Sequence, residues 1–166
     1  MIAAVLAVRS IRSTPPPLHP STAVARDFPD HHDAELVLRL YELRREAVMR
    51  QSRDALNQKF HPKTFEEFAA ITKADHPLNP AYRQVGTYWE MAYGLIKHGV
   101  LNPDLAMESN GEGLILFAKA RPWLDQIRAE INPRAFLNAE WVSTQTEAGN
   151  RLYPIFEARV KKRRGA

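Results

Sequence analysis

Cysteine is absent from the sequence, which excludes disulfide bonds, thiolate metal ligands and a cysteine nucleophile. The absence is compatible with a reducing compartment, so we expect a cytoplasmic protein. No stretch approaches the roughly 18 consecutive apolar residues that a membrane-spanning helix needs. With 45% hydrophobic and 25% charged residues in a chain of 166, the composition instead predicts a soluble globular protein built on one core.

The motifs that carry most enzyme chemistry are missing as well. There is no phosphate-binding loop, no dinucleotide-binding glycine fingerprint and no Gly-x-Ser-x-Gly nucleophile turn. The Glu-x-x-His spacing, by which the helices of di-iron bundles supply their ligands, does not occur either. We therefore predict no catalytic residues, no metal site and no cofactor, and this interpretation leans against an enzyme.

The positive charge of the chain is concentrated at its two ends. The formal net charge is +4, yet residues 1–26 contain three arginines and no acid, and the last nine residues contain five basic side chains. The segment between them, residues 27–157, is left with a net charge of −4. The C-terminal cluster is therefore the feature that raises nucleic-acid binding as a hypothesis. That cluster consists of Arg159, Lys161, Lys162, Arg163 and Arg164.

Proline is abundant only near the start of the chain, where five of the twelve prolines lie within the first 29 residues. Proline removes backbone donors and favours an extended, solvated chain. We therefore predict that residues 1–32 form a flexible, disordered extension. Residues 33–166 are predicted to form a single helical domain that ends in a basic tail.

Helix-capping residues and apolar periodicity divide this domain into helices. Asp33 is the predicted N-cap of a long first helix, Ala34 to about Gln58. A Thr-x-x-Glu capping box then opens a short helix over residues 64–73. Asn79, followed by proline, is the predicted N-cap of a longer helix to His98, which Gly99 ends in the left-handed conformation.

The remaining helices begin at further Asn-Pro pairs and at a glycine-containing turn. Asn102 and Asn132 each precede proline and renewed apolar periodicity, and a helix is expected to follow Gly111-Glu112-Gly113. Pro122 either kinks or restarts that helix. No segment has the alternation of a strand, so we predict an all-α fold: an irregular antiparallel bundle of five to seven helices.

Five residues are candidates for a binding site in this bundle: Trp89, Glu90, Glu112, Lys119 and Arg121. Trp89 falls on an apolar helix face, and Glu90 sits at the edge of that face. The Glu90 carboxylate either reaches solvent or pairs with a cation such as Arg83, Lys119, Arg121 or Arg128, and we favour the structural pair over a catalytic acid.

The sequence also resembles a known group of proteins. The residues that carry the resemblance are Glu35–Glu46, Tyr88-Trp89-Glu90, His98–Leu105, Gly111–Leu114 and Lys119–Pro122. They are similar to those of small uncharacterised helical proteins from bacteria, particularly acidobacteria, and more distantly to those of a bacterial domain of unknown function. The resemblance covers residues 33–163 and implies an all-helical fold that begins near Asp33. It implies no activity and no catalytic residues.

Three functions follow as hypotheses. The first is a non-enzymatic protein-interaction module, either self-associating or an accessory subunit, because the polar second half of the long first helix needs a partner to support it. The second is a small-molecule-binding protein or enzyme that uses Glu90 and Glu112 in a pocket between helices. The third is nucleic-acid binding through the basic C-terminal tail.

Overall fold

The computed structural model describes residues 28–165, and these residues form helices and turns without a strand. The all-α prediction is confirmed, although the helices of the described residues outnumber the five to seven expected. They are α1 (His31–Arg45), α2 (Ala47–Lys59), α3 (Phe65–Thr72), α4 (Asn79–Lys97), α5 (Pro103–Ser109), α6 (Glu112–Ala120), α7 (Leu124–Glu130), α8 (Leu137–Gln145) and α9 (Glu147–Gly165), with a 3-10 turn at Arg121–Trp123. The predicted extension, residues 1–32, lies almost wholly outside the described residues.

The first predicted helix is two helices, so the expectation of one long helix to Gln58 is wrong. At Glu46 the backbone becomes extended (φ −55°, ψ 146°), which separates α1 from α2. The predicted start is also wrong, because the N-cap is Asp30, whose side chain accepts from the amides of His32 and Asp33. Asp33 lies at the third helical position, where its carboxylate accepts from the Asp30 amide at 2.9 Å and completes a capping box.

Asn79 was predicted to cap α4, but it lies within the first turn of that helix. Its side-chain amide reaches back along the chain and donates to the carbonyls of Ile71 and Thr72 at 3.1 and 2.9 Å. These carbonyls belong to the last turn of α3, where no intrahelical donor is available to them. Asn79 therefore caps the C-terminal end of α3 and links it to the first turn of α4.

Other local predictions are confirmed, with one exception. Gly99 has a left-handed backbone (φ 68°), and Asn102 caps α5 by accepting from two amides of its first turn. Thr64 accepts from the Glu67 amide at the start of α3. The exception is Asn132, which begins a turn, and α8 starts only at Leu137, after Phe136 in the left-handed region (φ 54°).

The core is built around α4, which packs against α2 on one side and α8 on another, while α9 packs against α6 and α8. Trp89 and Tyr93 of α4 are buried and stacked on each other. Gly113 permits α6 to approach them, since a Cβ there would lie 2.7 Å from the Trp89 ring. Gly149 permits a similar approach of α9 to the Val142 carbonyl at the end of α8. None of the helices in residues 28–165 is both long and apolar enough to cross a bilayer.

Candidate functional site

Glu90 projects from α4 onto the first turn of α8. Its two carboxylate oxygens accept from the backbone amides of Asn138 (3.0 Å) and Ala139 (2.9 Å). The Asn138 side-chain amide donates in return to the Glu90 carbonyl at 2.9 Å. Glu90 therefore supplies the side-chain cap that α8 lacks within its own sequence, and its negative charge suits the positive end of the helix dipole.

The cation pairing expected of Glu90 does not occur among the described residues. One of the expected partners, Arg128, instead pairs with Glu140 of α8 at 2.7 Å. Backbone amides thus replace a cation as the partner of Glu90. This arrangement is structural, because both carboxylate oxygens are occupied by donors of the protein itself.

Glu112, the first residue of α6, is held by a different element. Its two carboxylate oxygens accept from Nε of Arg53 in α2 at 3.0 and 2.8 Å, and both side chains are about one-quarter exposed. The structure therefore gives Glu90 and Glu112 separate partners, on α8 and α2. It does not place them together in either of the two cavities described below.

The other candidates lie in three different environments. Trp89 is only 2% exposed and packs between Tyr88 and Tyr93, and its indole N–H has no acceptor among the described residues. Arg121 is exposed in the 3-10 turn. Lys119, by contrast, is 7% exposed and lines a cavity.

That cavity, which we call the basic pocket, has a volume of about 450 Å³ and lies between α6, α9 and the loop that joins α2 to α3. Ile115 and Val160 contribute apolar surface to it. No acidic side chain lines the pocket, and none of its lysines or arginines forms an ion pair within residues 28–165. The Lys and Arg side chains that line it are Lys63, Lys119, Arg159, Lys162, Arg163 and Arg164.

Lys119 is the most buried of these cations. Its Nζ lies 5.5 Å from the centre of the Phe60 ring, and it has no hydrogen-bond acceptor in the described part of the chain. The pKa of Lys119 is lowered to about 8. Burial is the main cause, the neighbouring Arg163 contributes to the fall, and Glu112 partly opposes it. His61, at the rim, has its pKa lowered by burial, by Lys119 and by Arg163. In both groups burial is the main cause, and nearby cations act in the same direction.

The basic C-terminal tail is the last part of α9, and it is folded against the domain. Arg164 donates to the Lys119 carbonyl at 2.7 Å, and its guanidinium lies 4.7 Å from the centre of the Trp123 ring. These contacts hold the end of α9 over α6. The tail residues other than Lys161 line the basic pocket, and of these Arg159, Lys162 and Arg163 are exposed at its surface.

A second cavity, of about 510 Å³, lies between α4 and the segment that leads into α8. Its lining mixes Glu90 and Arg83 with apolar groups such as Met91 and Ile131. Because the Glu90 carboxylate is already bonded to α8, this cavity offers a ligand no comparable set of free charges.

Sequence reasoning included Lys119 among the candidates but missed the side chains around it. The loop His61-Pro62-Lys63 and the end of α9 are at least 40 residues from Lys119 on either side. The available signal was the basic cluster itself, which has only one acid, Glu157, within its last helical turns as a local partner. A basic segment without nearby acids either remains solvated or pairs with charge from elsewhere.

Comparison with protein families identifies a match, described as "Domain of unknown function (DUF4760)", over residues 29–146. The matched segment is more than half of the chain. The protein belongs to the DUF4760 family. This confirms the expected membership in an uncharacterised family, and the match starts one residue before Asp30, the N-cap of α1. Helix α9, which completes the basic pocket, follows the segment that matches DUF4760.

Neither of the other comparisons identifies a relative: no curated protein matches the chain. No solved structure matches it either.

Proposed function

We propose that this DUF4760 protein binds a small anion with more than one negative charge, such as a phosphorylated metabolite, in the basic pocket. The observation that carries the proposal is Lys119, a residue that is 7% exposed and whose ammonium group has no acceptor among the described residues. A charge that is largely withdrawn from water and has no protein partner costs free energy that the fold must offset elsewhere. A bound anion supplies the missing partner.

The size and lining of the pocket favour a small molecule. Its volume of about 450 Å³ lies within the range of small-molecule sites. Phosphate is the preferred class because guanidinium groups bind its oxygens in pairs, and Arg159 and Arg163 supply such groups. Phe, Tyr and Trp do not occur among the described residues that line the pocket, so these residues offer no Phe, Tyr or Trp ring on which nucleic-acid bases would stack.

Isothermal titration calorimetry of the full chain with inorganic phosphate and pyrophosphate tests this proposal. We expect pyrophosphate to bind more tightly, and Lys119→Met to weaken its binding about tenfold or more, as loss of a charged hydrogen bond predicts. The matched control is Lys73→Met, which removes one positive charge from an exposed position outside the pocket and should change Kd less than about twofold.

Two results would overturn the proposal. One is the absence of binding of either anion at millimolar concentration. The other is equal weakening by the Lys119 and Lys73 variants, which would show general attraction to a basic protein. Binding of single-stranded DNA that is steeply salt-dependent and insensitive to Lys119→Met would instead support nucleic-acid binding through the outer face of α9.

A second candidate, protein contact through self-association, is supported by a different observation. Leu38 and Tyr41 lie one turn apart on α1 and are 63% and 43% exposed, and Val48 on α2 is 63% exposed. The surrounding residues carry both signs of charge, with glutamates and arginines alternating along α1. If two copies packed with their α1 helices antiparallel, the glutamates of α1 in one copy would face the arginines of α1 in the other, as a self-complementary twofold interface requires.

Sedimentation velocity of the full chain tests self-association. We expect a dimer at about 100 µM that Leu38→Glu converts to monomer, because a carboxylate cannot be buried there without a partner. Lys73→Glu is the control, since it reverses a charge at an exposed position after α3, outside α1 and α2. A monomer at that concentration in the unmodified chain would contradict this candidate.

A further inference from the structure

We propose that Lys119 is an amine nucleophile that condenses with a small aldehyde or ketone whose phosphate or carboxylate group is held by the basic pocket. The inference rests on the proposed function, because the bound anionic group is what brings the carbonyl carbon to Nζ. It extends that function from reversible binding to covalent capture, and it names the substrate class as anionic carbonyl compounds.

The first argument is the position of Nζ. Lys119 is on the pocket side of α6, and Ile115 one turn earlier gives the pocket an apolar surface next to it, while the centre of the buried Phe60 ring lies 5.5 Å from Nζ. Glu112, two turns earlier on the same helix, is engaged with Arg53. No carboxylate of the described residues therefore holds the amine in its charged form through a direct ion pair.

The second argument concerns the charges that face this amine. They come from each element around the pocket: His61 and Lys63 from the α2–α3 loop, Glu112 from α6, and Arg159, Lys162, Arg163 and Arg164 from α9. Burial is the main cause that lowers the pKa of Lys119 to about 8, Arg163 contributes to the fall, and Glu112 partly opposes it. A desolvated lysine beside other cations is an activated nucleophile. At pH 7.5 about a quarter of such amines are neutral, against about one in a thousand for an exposed lysine.

The reaction requires no cofactor and balances as follows. The lone pair of neutral Nζ forms a bond to the carbonyl carbon, and the π electrons move to oxygen. Transfer of a proton from nitrogen to oxygen gives a carbinolamine. Departure of that oxygen with two protons, as one water molecule, leaves an imine. Arg159 and Arg163 would neutralise the phosphate or carboxylate, and the apolar surface would favour loss of water.

Reductive trapping on the full chain tests the inference. Pyridoxal 5′-phosphate is a suitable probe because it carries an aldehyde and a phosphate, and borohydride converts its imine into a stable amine. We expect peptide mapping by mass spectrometry to place the label on Lys119 at a rate about tenfold or more above that on Lys63 and Lys162. The labelling rate should rise with a midpoint near pH 8.

Two controls separate a pocket reaction from ordinary lysine modification. Pyridoxal without its phosphate has the same aldehyde and should label Lys119 at least tenfold more slowly. Lys119→Arg should abolish the adduct because a guanidinium does not form an imine under these conditions, whereas Lys73→Arg should not. Circular dichroism checks that both variants are folded. If one variant is not folded, the peptide map of the unmodified chain still decides whether the label is on Lys119.

The outcomes distinguish this inference from the proposed function. Labels spread equally over exposed lysines, or a rate that rises only above pH 10, would overturn it. If phosphate binds by calorimetry and no adduct forms at Lys119, covalent capture is wrong and the anion pocket stands. If neither phosphate nor pyrophosphate binds, the pocket proposal is wrong, and covalent capture is wrong with it.

Discussion

The two carboxylates predicted for a binding site and the lysine of the basic pocket are all withdrawn from bulk water, but they differ in their partners. Glu90 accepts from two backbone amides, and Glu112 accepts from Arg53. Lys119 has an aromatic ring and other cations around it. A charged side chain that is already bonded to other protein groups contributes to stability, whereas one without a protein partner is available to bind a ligand.

This difference separates residues that hold helices together from a residue proposed to bind a ligand more clearly than burial does. Fixed protein donors around a carboxylate hold two helices together, as Glu90 holds α4 to α8. A set of like charges around a cavity destabilises the unliganded fold through mutual repulsion and desolvation. The comparison predicts opposite signs for substitutions at the two kinds of position.

The largest expected effect is at Glu90. Glu90→Ala removes the acceptor of two amides in the first turn of α8, and we expect it to lower the free energy of unfolding by about 2 kcal/mol. Chemical denaturation followed by circular dichroism measures this change. Glu90→Gln should cost less, since it keeps one acceptor oxygen.

Glu130→Ala provides the control for Glu90→Ala. Glu130 is exposed at the end of α7 and forms no ion pair within residues 28–165, so its loss should stay within about 0.5 kcal/mol. Equal effects of the two alanine variants would show that Glu90 is not a cap and would remove the contrast with Lys119.

The opposite sign is expected at Lys119. Lys119→Met replaces an unpartnered ammonium with an apolar side chain of similar length, and we expect it to stabilise the unliganded protein by about 1–2 kcal/mol at pH 7, after allowance for solvent at the pocket mouth. Thermal and chemical unfolding in phosphate-free buffer measure it. A destabilisation of similar size would contradict the absence of a partner.

The stabilisation expected from Lys119→Met should decrease as the pH rises. The pKa of Lys119 is about 8 in the folded protein and 10.5 for the free side chain, so the unfolded chain binds more protons between these values. The contribution of Lys119 to the stability of the unmodified protein, measured relative to Lys119→Met, should therefore rise between pH 8 and 10.5. The advantage of Lys119→Met should be complete below pH 8 and disappear as the pH approaches 10.5.

Sequence reasoning succeeds where a few neighbouring residues decide the structure. The cap at Asn102 and the left-handed Gly99 are local, and both were predicted correctly. It fails where the partner is distant along the chain. The Asn79 amide was assigned to its own helix, but the carbonyls that it bonds are at the end of α3. A break such as that at Glu46 has no proline or glycine to mark it.

The candidate site follows the same rule. Lys119 was a candidate, but its proposed companion Glu90 is bonded to α8, and its actual neighbours are supplied by α9 and the α2–α3 loop. The distance of 45 residues between Lys119 and Arg164 makes their contact invisible to periodicity. Charge segregation was visible in the sequence, whereas the folding of the tail onto α6 was not.

The smallest expected effect concerns Glu112, a carboxylate that already has a partner in the protein. A double-mutant cycle with Arg53→Ala and Glu112→Ala should give a coupling energy of about 1 kcal/mol, since both groups are about three-quarters buried and both carboxylate oxygens are used. The more exposed pair of Lys161 and Glu157 on α9 is the control, with an expected coupling of about 0.3 kcal/mol.

The single variant Glu112→Ala also removes a negative charge that raises the pKa of Lys119, so the midpoint of reductive labelling should move to lower pH. A midpoint that moves upward would show that Glu112 does not act on the pocket in this way.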